Sequence, residues 1–269
     1  MKPKVFVVGL GEVGSAIYSI IEDSDKYEVF GYDSNKTKTK SGFLELPYHA
    51  KFMHICFTAT DQKSFTDEVL FFTNMLRPEI AIIESTVPPK ITERLHELSF
   101  SPVVYSPIRG MHPKIKVDIK FWTKYISSYD KDALEKTMLY YQSLGLNTKT
   151  LSPRATELAK LFETTYKAHM ITFFQEAHRI CNALNTNFCE AVDMIADIDQ
   201  TDSSKLLCYP DVIGGHCLIP NIKLLLQSYD SPLLQYMLES NEKRKVEVQD
   251  PDVAKEIEAV KKMVLEKKS

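Results

Sequence analysis

The feature that most constrains this chain is a glycine loop caught between a strand and a helix. Lys4-Val5-Phe6-Val7-Val8 is a β-branched and aromatic run, the pattern of a buried strand, and it runs directly into Gly9-Leu10-Gly11-Glu12-Val13-Gly14. Val13, Ala16, Ile17, Ile20 and Ile21 then recur at helical spacing, and a second strand over residues 27–32 ends at Asp33. Strand, G-x-G-x-x-G turn, helix, strand and acidic residue in this register read as a dinucleotide-binding unit. Gly9 permits the tight turn. Gly11 lets a pyrophosphate approach the backbone N–H groups of the helix start, where Glu12 and Val13 stand, and Gly14 lets helix and strand pack closely. An Asp33 carboxylate accepts hydrogen bonds from a ribose diol and repels a 2′-phosphate, so NAD is the expected cofactor rather than NADP.

Glycine is otherwise scarce. The chain has nine glycines in 269 residues, and five of them fall in two runs, Gly9, Gly11 and Gly14, then Gly214 and Gly215. Such placement suits positions that need positive φ or close approach of a ligand. The formal charge of −3 leaves no electrostatic footprint for nucleic acid. No apolar run reaches the length of about 18 residues that a membrane span needs, and the N-terminus lacks the features of a signal peptide. Five cysteines, an odd number without paired spacing, read as reduced thiols and point to the cytoplasm. No metal site is expected.

Further buried strands are expected over residues 52–57, 80–83, 103–105 and 121–126, with helices over 65–76 and 131–144. Alternating strands and helices predict an α/β fold, a Rossmann-like doubly wound parallel sheet, over residues 1–150. The texture then changes. Leu158, Leu161, Phe162, Thr165, His169, Phe173, Ala177, Ile180, Cys181 and Leu184 are spaced by threes and fours, which predicts one long helix over 153–184. A helix of that length outlasts a small domain and suggests a spine for an all-helical domain over 151–238 and for a homodimer. Residues 239–250 are charged without periodicity and read as a linker. A C-terminal helix follows within 239–269, with a stripe of Val253, Ile257, Val260 and Val264.

Two other stretches carry chemistry. Ile83-Glu84-Ser85-Thr86-Val87-Pro88-Pro89 leaves a buried strand at the edge where such sheets bind ligands, and Gly214-Gly215-His216-Cys217-Leu218-Ile219-Pro220-Asn221 could present a thiol to a substrate carbon. Read alone, Cys217 is more readily an inert buried thiol than a nucleophile. These two stretches, Gly9–Gly14 and Glu157-Leu158-Ala159-Lys160-Leu161 together resemble the UDP-glucose/GDP-mannose dehydrogenase family, in family order over about residues 4–235. The resemblance implies an NAD-dependent oxidation of an alcohol to a carboxylic acid on a small substrate such as a nucleotide sugar. It also implies a dimerising central helix. In that chemistry a hydride leaves, the cysteine adds to the aldehyde, a second hydride leaves to give a thioester, and water releases the acid. Carried over by position, Cys217 is the nucleophile, Lys160 steadies the oxyanion, Thr86 lies beside the nicotinamide, and Lys38 assists at the adenosine end.

The departures matter too. One turn after Lys160 the family has Asn and this chain has Thr164; four residues after the cysteine it has Asp and this chain has Asn221, which cannot take up a proton. The family's Ser-Pro-Glu appears as Ser106-Pro107-Ile108. The family's third domain has no counterpart in a chain of this length. Losing one acid/base group costs about 10²–10⁴ in rate, so these changes predict a reaction slowed or halted after a hydride step. His112 and His216 are possible substitute proton acceptors, and Arg109 a possible clamp for a substrate carboxylate or phosphate. Two other readings stay open: a 3-hydroxy-acid-type dehydrogenase using Lys160 for a single hydride transfer, and a non-catalytic NAD-binding partner of a full-length relative.

Overall fold

A computed structural model describes residues 1–110, 113–201, 208–215 and 217–266. The chain divides into two compact units, Met1–Lys160 and Leu161–Ser269. In the first, β1 (Lys4–Val8) lies between β2 (Glu28–Tyr32) and β3 (Phe52–Ile55), followed by β4 (Ile80–Ile83) and β5 (Val103–Tyr105), all parallel. β6 (Lys124–Ser128) pairs antiparallel with β5, and β7 (Thr148–Thr150) pairs parallel with β6, so the order is β2-β1-β3-β4-β5-β6-β7. The helices are α1 (Glu12–Asp23), α2 (Gln62–Leu76), α3 (Ile91–Leu98), α4 (Ile115–Phe121) and α5 (Lys131–Ser143).

Both sheet faces are covered, which explains the unbroken apolar run of β1. Val5 and Val7 pack with Ile17 and Ile21 of α1, whereas Phe6 and Val8 pack with Phe65 and Phe72 of α2. The expected all-parallel sheet holds through β5 and reverses at β6. The described residues between β5 and β6 supply one short helix, α4, which packs beside α1, and among them no crossover returns the chain to the start of β5. The strand expected at 121–126 accordingly begins at Lys124, because α4 runs to Phe121.

The second unit is helical: α6 (Pro153–Ala183), which belongs to it from Leu161 on, is followed by α7 (Phe188–Thr201), α8 (Leu218–Leu226), α9 (Pro232–Glu247) and α10 (Pro251–Glu266). Phe174, Phe188, Val192, Ala196 and Val260 form one cluster of its core, and Ala168, Ile213, Ile222 and Met237 another. Residues 239–247, expected as a linker, are the second half of α9. Their inward face is polar, with Ser240, Asn241 and Arg244 buried, so hydrophobic spacing gives no sign of it. Arg244 donates to the Gln175 carbonyl at 2.8 Å and to His178 Nδ1 at 3.2 Å. A guanidinium only donates, so His178 carries its proton on Nε2 and gives it to Glu256 of α10 at 2.6 Å. Among the described residues no helix is long and apolar enough to cross a membrane.

Candidate active site

The glycine turn has the geometry that its sequence implies. Gly9 stands at φ +83°, and a Cβ there would lie 2.8 Å from the Phe57 nitrogen. A Cβ on Gly14 would lie 1.7 Å from the Gly9 oxygen, so α1 meets the end of β1 only because that position is bare. Gly11, the N-cap of α1, has open space where a side chain would project, and it brings no group to cap the first-turn amides of Glu12 and Val13. Asp33 turns its carboxylate onto this loop: Oδ2 accepts from Leu10 N at 2.7 Å and Oδ1 from Asn35 N at 2.8 Å. A carboxylate offers about four lone-pair sites, so two remain for a diol. These residues fit the adenosine half of a dinucleotide. Lys38 is exposed in the following loop, its amide bonded to the Asn35 carbonyl at 3.0 Å.

Thr86 follows β4 and is half-buried. Its neighbour Ser85 donates to the Phe57 carbonyl at 2.5 Å, tying this loop to the end of β3. Glu84 is fully buried and its carboxylate collects several donors. Oε1 accepts from His54 Nδ1 at 2.8 Å and Tyr141 OH at 2.6 Å, and Oε2 pairs with Lys124. Burial alone raises this carboxyl, but the Lys124 charge and the His54 hydrogen bond outweigh it and hold the group below its usual range. Arg109, after Ser106-Pro107-Ile108, lays its guanidinium over the Trp122 ring at 5.0 Å and the Tyr125 ring at 5.9 Å.

Glu157, in the first turns of α6, caps α3. Its carboxylate accepts from Lys90 N at 2.7 Å, from Thr92 N at 2.8 Å and from the Thr92 hydroxyl at 2.7 Å. The cap ties the first turns of α6 to the loop after Pro89. Lys160 is half-buried, and Thr164 stands one turn further along α6. The roles of Glu157, His54 and Lys124 were not singled out from sequence. The available signal was a histidine inside the apolar strand Phe52-Met53-His54-Ile55 and a carboxylate closing Ile80-Ala81-Ile82-Ile83, since buried polar groups need partners.

In the second unit, Cys217 stands at the N-terminus of α8 and is exposed, whereas Cys181, Cys189 and Cys208 there, and Cys56 in the first unit, are half-buried. Burial pushes the Cys56 thiol well up and the Cys189 thiol up, which makes both poor nucleophiles. Gly215 stands at φ +79° just before the cysteine. Two of the departures meet: Asn221 Nδ2 donates to the Thr164 hydroxyl at 3.0 Å, and that hydroxyl donates to the Leu161 carbonyl at 2.9 Å. His112 and His216 lie outside the described residues.

Residues 154–243 match the family model described as UDP-glucose/GDP-mannose dehydrogenase family, central domain. A UDP-N-acetyl-D-mannosamine dehydrogenase of Methanococcus maripaludis is 22% identical over 256 residues, covering 80% of this chain and 59% of that protein. The chain thus spans about three fifths of that relative's length. A UDP-glucose 6-dehydrogenase of Campylobacter jejuni is 26% identical over 289 residues, covering 90% of this chain and 72% of its own. The solved structure of a UDP-D-ManNAc dehydrogenase from Pyrococcus horikoshii superposes with a TM-score of 0.78 at 20% identity, over 91% of this chain and 70% of that one.

Proposed function

We propose that the chain, whose residues 154–243 match the central-domain model of the UDP-glucose/GDP-mannose dehydrogenase family, is a member of that family and an NAD-dependent dehydrogenase acting on the primary alcohol of a nucleotide-linked sugar. The observation that carries the proposal is Cys217, the exposed cysteine, heading α8 one turn before an Asn221 bonded to Thr164. A thiol at a helix N-terminus is favoured as thiolate and is open to a carbonyl carbon. NAD supplies the hydride acceptor when bound. Gly9, Gly11, Glu12, Val13 and Gly14 hold its pyrophosphate, Asp33 its ribose, Lys38 its adenosine end, and Thr86 stands at the nicotinamide end. Lys160 stabilises the oxyanion that forms as the thiolate adds to the aldehyde. A reducing compartment, the cytoplasm, keeps Cys217 reduced.

Asn221 replaces the carboxylate that would take up a proton and Ile108 the one that would activate water, so release of the acid is the slow step. In this reading the Thr164–Asn221 pair orients groups and moves no proton. The stripe of Phe162, Tyr166, Phe173 and Ile180 on α6, continued by Leu184 just past its end, each more than half exposed, is the surface of a homodimer. Incubation with NAD and a panel of UDP- and GDP-sugars tests the activity, with NADH as the expected product. Turnover on small 3-hydroxy acids and none on nucleotide sugars selects the single-hydride reading. NAD binding without turnover on either selects the non-catalytic one.

A further inference from the structure

The reversal of β6 has a chemical consequence. It carries Lys124, the first residue of that strand, to the edge where β3, β4 and β5 end. The ammonium, with its side chain 3% exposed, pairs with the Glu84 carboxylate that follows β4 and donates to the Ser106 carbonyl that follows β5 at 2.5 Å. Glu84 is also tied to β3 through His54 and to α5 through Tyr141. Main-chain bonds run through the same residues: Glu84 N to the Ile55 carbonyl at 2.9 Å, Ser106 N to the Ile83 carbonyl at 2.9 Å, and Ile108 N to the Glu84 carbonyl at 3.2 Å. Thr86 stands two residues beyond Glu84, and Ile108 two beyond Ser106.

An ion pair in an apolar layer adds little net stability over packed apolar side chains. It does fix direction, because each donor and acceptor must point at its partner. Here one carboxylate and one ammonium set the spacing of the two loops that leave the sheet's carboxyl edge. We propose that Glu84 and Lys124 are positioning residues that hold the loops of Thr86 and Ser106–Ile108 in register for the reaction, governing turnover and leaving affinity for NAD to the glycine turn. The kinetic half of the proposal rests on the dehydrogenase reading above; the structural half does not. A misplacement of about 1 Å at a reacting centre can cost about 10²-fold in rate.

The test is the neutral double variant E84Q/K124M, in which neither partner leaves an unpaired charge. Amide hydrogen exchange and NADH formation are measured beside NAD binding on the full chain. The expected result is exchange at the Ser106 and Ile108 amides accelerated about tenfold or more, with kcat reduced by about the same factor and the Kd for NAD within about threefold of wild type. Wild-type exchange at those amides in the folded double variant overturns the proposal, whatever its activity. So does a loss of NAD affinity that equals the loss of kcat. A wild-type chain that makes no NADH from any nucleotide sugar instead sinks the dehydrogenase reading, and the exchange rates still decide the positioning. Should the double variant not fold, Y141F strips one hydrogen bond from Glu84 and is expected to quicken the same two amides by about twofold to threefold. Unchanged rates there overturn the proposal equally.

Discussion

Glu157 offers a prediction whose size follows from its contacts. The carboxylate is 1% exposed and accepts from two backbone amides and one hydroxyl at the start of α3. Glu157→Ala strands those donors where water reaches them poorly. A hydrogen bond to a charged group contributes about 1.5–3 kcal/mol, and a buried donor left unmatched costs about 1–3 kcal/mol. The Thr92 amide and hydroxyl share one oxygen, so the loss is better counted as two bonds than three, about 3–5 kcal/mol. Domains are stable by about 5–15 kcal/mol, so this is a large part of the total. Glu157→Gln keeps one acceptor oxygen in place and should lose about 2–3 kcal/mol. Trp122 is the single tryptophan and lies in the first unit, so its fluorescence during urea unfolding reports the unit in question. The expected order of stability is wild type, then Gln, then Ala. An Ala variant within about 1 kcal/mol of wild type would refute the capping argument.

Other outcomes follow from the same geometry. Gly14→Ala places a methyl against the Gly9 oxygen, and overpacking of this kind costs about 1–3 kcal/mol or more; NAD binding, followed by titration, should be lost. Asp33→Asn keeps an acceptor for Leu10 N but removes the charge, so the ratio of NAD to NADP affinity should fall about tenfold, or about 1.4 kcal/mol. Equal ratios in variant and wild type would contradict the assigned role of the carboxylate. Burial holds the His178 imidazole below its ordinary range, against the pull of Glu256. A depressed folded value gives stability that is complete above about pH 6.5 and is lost as pH falls toward that value. Urea midpoints of the second unit, followed by circular dichroism, should therefore drop on acidification through that window, and more for wild type than for His178→Gln.

Much of this was legible in the sequence because it was written locally. The glycine turn, Asp33 and the helix over 153–184 depend on residues a few positions apart, and periodicity or turn chemistry reports them. The antiparallel β6 was not legible, since a buried strand has the same pattern in either direction. The second half of α9 was missed for a different reason: its inner face is Ser240, Asn241 and Arg244, and hydrophobic spacing cannot see a polar seam. In the site, Thr164 and Asn221 each stood out as a departure, but their pairing joins positions 57 residues apart. Lys124 and Tyr141 reach Glu84 across 40 and 57 residues, so the cluster becomes visible only once the sheet order is known. Glu157 was a motif letter without a job until α3 put its first amides in front of it.

The proposed reaction turns on one sulfur, and the direct measurement is the mass of the peptide that contains Cys217 after the protein has been incubated with NAD and a UDP-sugar. On the proposed reading, in which Asn221 replaces a proton-accepting carboxylate and Ile108 a water-activating one, NADH should appear together with a sugar-derived adduct on Cys217, and Cys217→Ser should show neither the adduct nor the acid. NADH formed without any adduct, and acid produced as fast by the serine variant as by wild type, would contradict the assignment of that thiol as the nucleophile.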